Sequence, residues 1–203
     1  MRLPLNPDLV RGFLDPDEGA CLYEHALACA ALGPCLEVGS YCGKSTLYLG
    51  TAMRDAGGQM IALDHHRGSE EHQEGEAYHD PELFDAKVGL MDTLPALRAT
   101  LAAAKLEPFV IPVVTTSALA GQAFSMRLSM GFIDGGHSLD AAVTDYRTWA
   151  PRIVEGGILA IHDIFPDPAD GGQVPYHIYQ QALASGLFEQ VEMRRTLAIL
   201  RRL

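Results

Sequence analysis

Two short segments carry side chains able to hold a cation and to move a proton. FIDGGH places Asp134 and His137 at the end of one apolar run, and ILAIHD places His162 and Asp163 at the end of another. If both runs are neighbouring strands of a parallel sheet, two carboxylates and two imidazoles converge on one patch, at the carboxyl ends where such sheets bind ligands. Oxygen-rich ligands with open positions suit a hard cation such as Mg2+; an imidazole among them admits Mn2+ or Zn2+ more readily. Histidine also exchanges its proton near neutral pH, its ordinary pKa being about 6.5. A lone acid or histidine after a strand is more often the cap of a turn, whereas four at two strand ends argue for a site.

A third segment is the turn Glu37-Val-Gly39-Ser40-Tyr41-Cys42-Gly43-Lys44-Ser45-Thr46. It is one residue short of the triphosphate loop G-x-x-x-x-G-K-[ST], so an NTPase fails on spacing. The dinucleotide fingerprint G-x-G-x-x-G is denied by Ser40-Tyr41. What remains is an acid before Gly39, a wide glycine turn that a ligand can approach closely, and a helix start whose free N–H groups face it.

The elements that must position these residues alternate. Asp15, Pro16 and Glu18 open a helix that runs to about Ala31, and Gly33-Pro34 stop it. CLEV (35–38) is a short buried strand, KSTLYLGTAMRDAG a helix, and MIALD (60–64) a second strand. A helix within 89–105, the strand FVIPVV (109–114), a helix near 117–126 and the strand GFID ending at Asp134 follow. Ser138 caps the next helix, whose apolar positions Leu139, Ala142, Val143, Tyr146 and Trp149 share one face. GGILAIHD is a fifth strand, and LFEQVEMRR and TLAILRRL are two more joined by a tight turn. The pattern predicts an α/β doubly wound domain, a mostly parallel seven-stranded sheet with an antiparallel edge strand, helices on both faces.

Two segments break the alternation, both after strand ends. Residues 64–88 hold four of the eight histidines and eight acids, and residues 164–177 are rich in proline and glycine. Loops this long in a compact domain are usually functional, and these are read as walls and lid of a pocket. The histidines of the first have no tight metal spacing, so no separate zinc site is assigned there; His65, His66, Arg67, Glu70 and Glu71 are expected near the bound ligands.

Composition narrows the partners. The chain has 203 residues, 48% of them hydrophobic, which excludes disorder and fits a single domain. With 15 basic against 26 acidic side chains and a net charge of -11, a nucleic-acid partner is not expected. Cys21, Cys29, Cys35 and Cys42 form no C-x-x-C pair and are read as reduced core thiols. Neither a leader nor a membrane span is apparent, so the expected compartment is the cytoplasm. Apolar edge strands and long loops are compatible with a homodimer.

Taken together these features resemble the class I S-adenosylmethionine (SAM)-dependent methyltransferases, whose fold is Rossmann-like. The first motif of that family, E-x-G-x-x-x-G, matches Glu37, Gly39 and Gly43, and the acid ending its second strand matches Asp64. The resemblance spans nearly the whole chain and implies that Glu37, Gly39, Ser40 and Gly43, with Ser45, hold the methionine part of SAM. It further implies that Asp64 accepts hydrogen bonds from the ribose hydroxyls, that Ser117 lies near the adenine, and that Asp134 borders the cofactor. Residues 1–33 become an N-terminal helical cap on the cofactor side.

Within the family, D-G-x-H and the pair after the fifth strand are similar to the metal-dependent branch that methylates sugars and other small molecules. That likeness implies Asp134 and Asp163 as ligands of Mg2+ or Mn2+ and His137 as general base. His162 is a departure, since the branch usually carries an acid there; it either ligates or orients Asp163. The histidine-rich loop and compact size are similar to the methylmannose polysaccharide 1-O-methyltransferases, which implies an oligosaccharide acceptor and polysaccharide biosynthesis. Two rivals are a catechol-like acceptor, which calls for an aromatic pocket to which Trp149 alone adds an indole, and a small-molecule-binding protein without turnover. The intact Asp134, His137 and Asp163 argue against the second.

Overall fold

The computed structural model describes residues 1–73, 75 and 79–203, without the side chain of Glu71. Its first helix starts where local chemistry dictates. The Asp15 carboxylate accepts from the Asp17 N–H at 2.8 Å, the Asp15 N–H donates to Glu18 at 3.3 Å, and Pro16 takes the first helical position. This helix, α1 (Pro16–Cys29), stops two residues before the expected Ala31, because a 3-10 turn (Ala30–Leu32) tightens the chain into Gly33.

The chain then alternates through β1 (Cys35–Val38), α2 (Lys44–Ala56) and β2 (Met60–Asp64). A small hairpin, β3 (Phe84–Asp85) with β4 (Leu90–Met91), precedes α3 (Leu94–Ala104), β5 (Val110–Val114), α4 (Ser117–Ala123) and β6 (Leu128–Ile133). Last come α5 (Leu139–Trp149), β7 (Ile153–Ile161), α6 (Val174–Ala184), β8 (Phe188–Arg194) and β9 (Leu197–Arg202).

Seven strands form one sheet in the order β5-β2-β1-β6-β7-β9-β8. The first five are parallel; β9 runs antiparallel to both β7 and β8, giving the antiparallel edge pair with β8 outermost. Alternation along β1 separates two cores. Cys35 packs with Cys21, Leu22, Leu47 and Leu97 under α1, α2 and α3, whereas Leu36 and Val38 pack with Ala142, Trp149 and Ile178 under α5 and α6. No described helix is long and apolar enough to cross a membrane. All four cysteines are buried and unpaired, in keeping with core thiols.

Several expectations need correction. Residues 174–177 open α6, a helix not anticipated because Pro175 and the preceding glycines read as loop; Pro175 is tolerated near the start, where its missing N–H has no helical acceptor. Residues 64–88 are not bare loop: they contain 3-10 turns at Glu70–His72 and Pro81–Leu83 and the strand β3. Residues 74 and 76–78 of that segment lie outside the described residues, as does the side chain of Glu71. Helix α4 ends at Ala123 rather than near 126. Ser138 occupies the N-cap of α5 without a side-chain capping bond, and Leu139, expected on the apolar face, is 52% exposed, whereas Ala142 and Trp149 are buried.

Candidate active site

Strand β1 is the point where connections change direction: β2 and β5 lie to one side of it and β6 and β7 to the other. Such a reversal opens a crevice beyond the carboxyl ends of the two central strands. The turn after β1 lines it. Gly39 has φ +90, and a Cβ there would stand 2.1 Å from the backbone oxygen of Asp134, so only glycine lets the turn press against the end of β6. Asp134 N–H donates to Val38 O at 3.0 Å, and His162 N–H to Ile133 O at 3.2 Å. β6 and β7 are indeed neighbours, which brings the two histidine-bearing ends together.

Glu37 is fully buried. Burial pushes its carboxyl up to about 8, against hydrogen bonds from Ser45 and Thr46; the Thr46 hydroxyl donates to Oε2 at 2.5 Å. Its Oε1 and the buried Ser40 hydroxyl have no hydrogen-bond partner among the described residues. Two polar atoms without partners beside an obligatory glycine suit a polar ligand, since a buried group left unpaired costs about 1–3 kcal/mol. Asp64 ends β2, as expected, and spans the turn: Oδ2 accepts from Tyr41 N–H at 2.8 Å and Oδ1 from His66 N–H at 2.7 Å. Ser117 is buried at the start of α4, where its hydroxyl accepts from the Trp149 indole at 3.0 Å and donates toward Asp145. Lys44 donates to Gly12 O at 3.2 Å, which ties the N-terminal segment to α2.

Beside this turn lies the acid and histidine group. One ligating atom each from Asp134, His162 and Asp163 fall within 4.8 Å of one another. His162 Nδ1 stands 3.0 Å from Asp134 Oδ1 and 3.5 Å from Asp163 Oδ1, and His137 Nε2 stands 3.3 Å from Asp163 Oδ2. Asp163 has φ +58; together with Tyr41 (+45) and His66 (+59) it makes three left-handed residues around the crevice. Burial alone would push the His162 ring toward neutrality, but the charge of Asp134 and hydrogen bonds to Asp134, Asp163 and Glu18 outweigh it and raise its pKa. Burial raises Asp163, and the hydrogen bonds and charges of His137 and His162 more than reverse that, leaving it below the usual carboxylate range. Carboxylates and an imidazole at this spacing fit a divalent cation.

Sequence reading missed three contributors. Glu18, read only as a capping acid, is 3% exposed and reaches His162 Nε2 at 3.0 Å across 144 positions of sequence. Asp145 lies under the D-G-G-H segment, where a Cβ on Gly135 would meet its Oδ2 at 2.8 Å; burial pushes it up to about 6 despite the Ser117 hydrogen bond. Phe13, Tyr41 and His72 form a ring cluster beside the glycine turn, with centroids 5.2 to 6.3 Å apart. Trp149, by contrast, is 1% exposed, with Arg152 over its ring. In the loop after Asp64, His66 Nδ1 lies 2.7 Å from Thr93 Oγ1 and Arg67 donates to Met91 O at 3.1 Å, so both brace the loop.

A second convergence, Cys21, His25 and Glu192, sits between α1 and β8. His25 Nε2 and Glu192 Oε2 pair at 2.9 Å, Arg194 holds the other oxygen at 2.9 Å, and burial together with Glu192 keeps the Cys21 thiol protonated, its pKa near about 12. The Arg194–Glu192 ion pair, with His25 hydrogen-bonded to the same carboxylate, over a neutral thiol accounts for this group.

Residues 36–164 match the model of a family described as a methyltransferase domain. Solved structures similar over most of the chain include the O-methyltransferase NovP (13% identity, 92% of this chain and 79% of that one, TM-score 0.70). Another is the O-methyltransferase TomG from Streptomyces achromogenes, involved in tomaymycin synthesis and solved with SAM (13% identity, 94% and 81%, TM-score 0.64). A third is an O-methyltransferase from Bacillus cereus in complex with SAH (14% identity, 97% and 85%, TM-score 0.65). At these identities the likeness is one of fold.

Proposed function

The chain belongs to the methyltransferase-domain family, and from that premise we propose that it transfers a methyl group from SAM to a hydroxyl oxygen, with help from a divalent cation. The observation that carries this reading is the convergence of Asp134, His162 and Asp163 to within 4.8 Å, beside a glycine turn with two unpartnered buried polar atoms. Glu37, Gly39, Ser40, Gly43 and Ser45 would hold the methionine part of SAM, Asp64 the ribose, Ser117 the adenine side and Asp134 the border with the acceptor. Asp64 already accepts two backbone N–H groups, so its remaining lone pairs are what it offers a ribose.

When bound, SAM supplies an electrophilic methyl carbon. Asp134, His162 and Asp163 would hold Mg2+ or Mn2+, which lowers the pKa of an acceptor hydroxyl and orients it. His137 would take the proton of the acceptor hydroxyl as that oxygen is methylated. Asp163, 3.3 Å from that ring, stabilises the imidazolium as it forms. Alignment of oxygen, carbon and sulfur supplies much of the acceleration, so a rigid crevice matters more than a strong base.

A sugar or related polyol is the acceptor favoured by the polar, histidine-rich surroundings, a methylated mannoside among the candidates. The ring cluster of Phe13, Tyr41 and His72 favours a second reading, a catechol-like acceptor stacked beside the turn. Labelled methyl transfer from SAM onto a panel of mono- and oligosaccharides and catechols, with and without chelator, decides between them. Transfer to a saccharide, lost in EDTA and restored by Mg2+ or Mn2+, is the expected result; transfer indifferent to chelation rejects the cation, and transfer to catechols alone rejects the sugar.

A further inference from the structure

The two nitrogens of His162 face different surroundings. Nδ1 looks into the gap between Asp134 and Asp163, at 3.0 and 3.5 Å, and Nε2 is met at 3.0 Å by Glu18 Oε2. Glu18 is itself fixed. Its Oε1 accepts from the Thr196 N–H at 2.9 Å and the Thr196 hydroxyl at 2.8 Å, and its Oε2 also accepts from Asp15 N–H at 3.3 Å. A buried carboxylate held by three other donors has no freedom to turn away from the ring, and as an acceptor it requires a hydrogen on Nε2. One tautomer is then left when a cation enters the gap: Nε2–H toward Glu18, with the Nδ1 lone pair toward the cation. A carboxylate behind an imidazole in front of a metal is how proteins orient histidine ligands.

We infer that Glu18, from the N-terminal helix, is the positioning residue that presents His162 Nδ1 as a nitrogen ligand to a divalent cation shared with Asp134 and Asp163, making the site one for Mn2+ ahead of Mg2+. The inference rests on the proposed cation site and adds to it a fourth residue and a preference. Imidazole suits the transition metals, whereas Mg2+ prefers oxygen alone. Asp134 and Asp163 leave strand ends, but the group that aims the nitrogen comes from the layer packed on the sheet.

The test uses the full chain, stripped of metal with EDTA and dialysed, with Mn2+ alone as probe. Calorimetry gives its affinity, and pulsed electron paramagnetic resonance reads whether a directly bound 14N couples to the manganese. The expected result is one Mn2+ bound more tightly than Mg2+, with a 14N coupling that vanishes in His162→Ala and persists in His137→Ala. Glu18→Gln, nearly isosteric, should weaken Mn2+ by about 10–100-fold, the usual cost of losing such a partner. Glu18→Asp, which keeps the charge but withdraws it by one methylene, should weaken Mn2+ as well and separates aim from charge if the glutamine variant fails to fold. Mn2+ bound without nitrogen coupling, or with unchanged affinity in both Glu18 variants, overturns the role of Glu18 and leaves the carboxylate site standing. Absence of Mn2+ and Mg2+ binding in the wild-type chain overturns the cation reading itself.

Discussion

Glu37 is a costly carboxylate, wholly buried and pushed up to about 8. Its folded pKa lies above the ordinary glutamate value of 4.5, so the stability it contributes is full below 4.5 and is lost as pH rises through 8. Asp145, at about 6 against 3.8, adds the same sign over a lower window. The ligand-free chain should therefore lose thermal stability between about pH 4.5 and 8. Glu37→Gln should flatten that slope and melt higher than wild type near pH 8.5; parallel melting curves would clear Glu37 of the penalty. For the reaction, His137→Ala should cost about 10²–10⁴ in kcat while SAH affinity stays unchanged, and full turnover in that variant would discard the base. Asp134, His137, His162 and Asp163 were legible as a group because each pair falls within four residues and both follow strands that had to be neighbours. Glu18 was not: at the third helical position of a capping box it already had a local explanation, and its contact with His162 spans 144 positions.

At the scale of elements, the parallel strands were read from short apolar runs, and burial follows that pattern along β1, β2 and β6, although the strand read as GFID already starts at Leu128. Helix α6 was hidden by the Pro-Gly composition leading into it, and the β3–β4 hairpin by the polarity of its surroundings. Helix α1 was legible from its caps, yet nothing in its pattern told that it would sit so close to α2. Gly19 explains that contact, since a Cβ there would lie 2.4 Å from the Tyr48 ring. A mid-helix glycine costs about 1 kcal/mol against alanine, so packing must offset it. Gly19→Leu should push α1 outward, destabilise by about 1–3 kcal/mol through overpacking and weaken Mn2+ binding through Glu18. Thermal melting alongside calorimetry checks this; an unchanged melting point would mean that α1 is free to shift and that its register does not matter.

For the whole molecule, the net charge of -11 acts on ligands before any contact forms. SAM carries one more positive charge than SAH, so raising salt from about 0.01 to 0.5 M should weaken SAM binding more steeply than SAH binding, as screening removes the long-range attraction. Equal slopes in calorimetry would confine recognition to the crevice. The order of strands has a different reach. β9 lies between β7 and β8 although it follows both in sequence, so during synthesis β7 keeps an open flank until the later segment emerges and slots in beside it. A nascent chain that has made β8 but not β9 leaves β7 without that ladder partner, an edge open to aberrant pairing or capture by a chaperone until residues 197–202 close it.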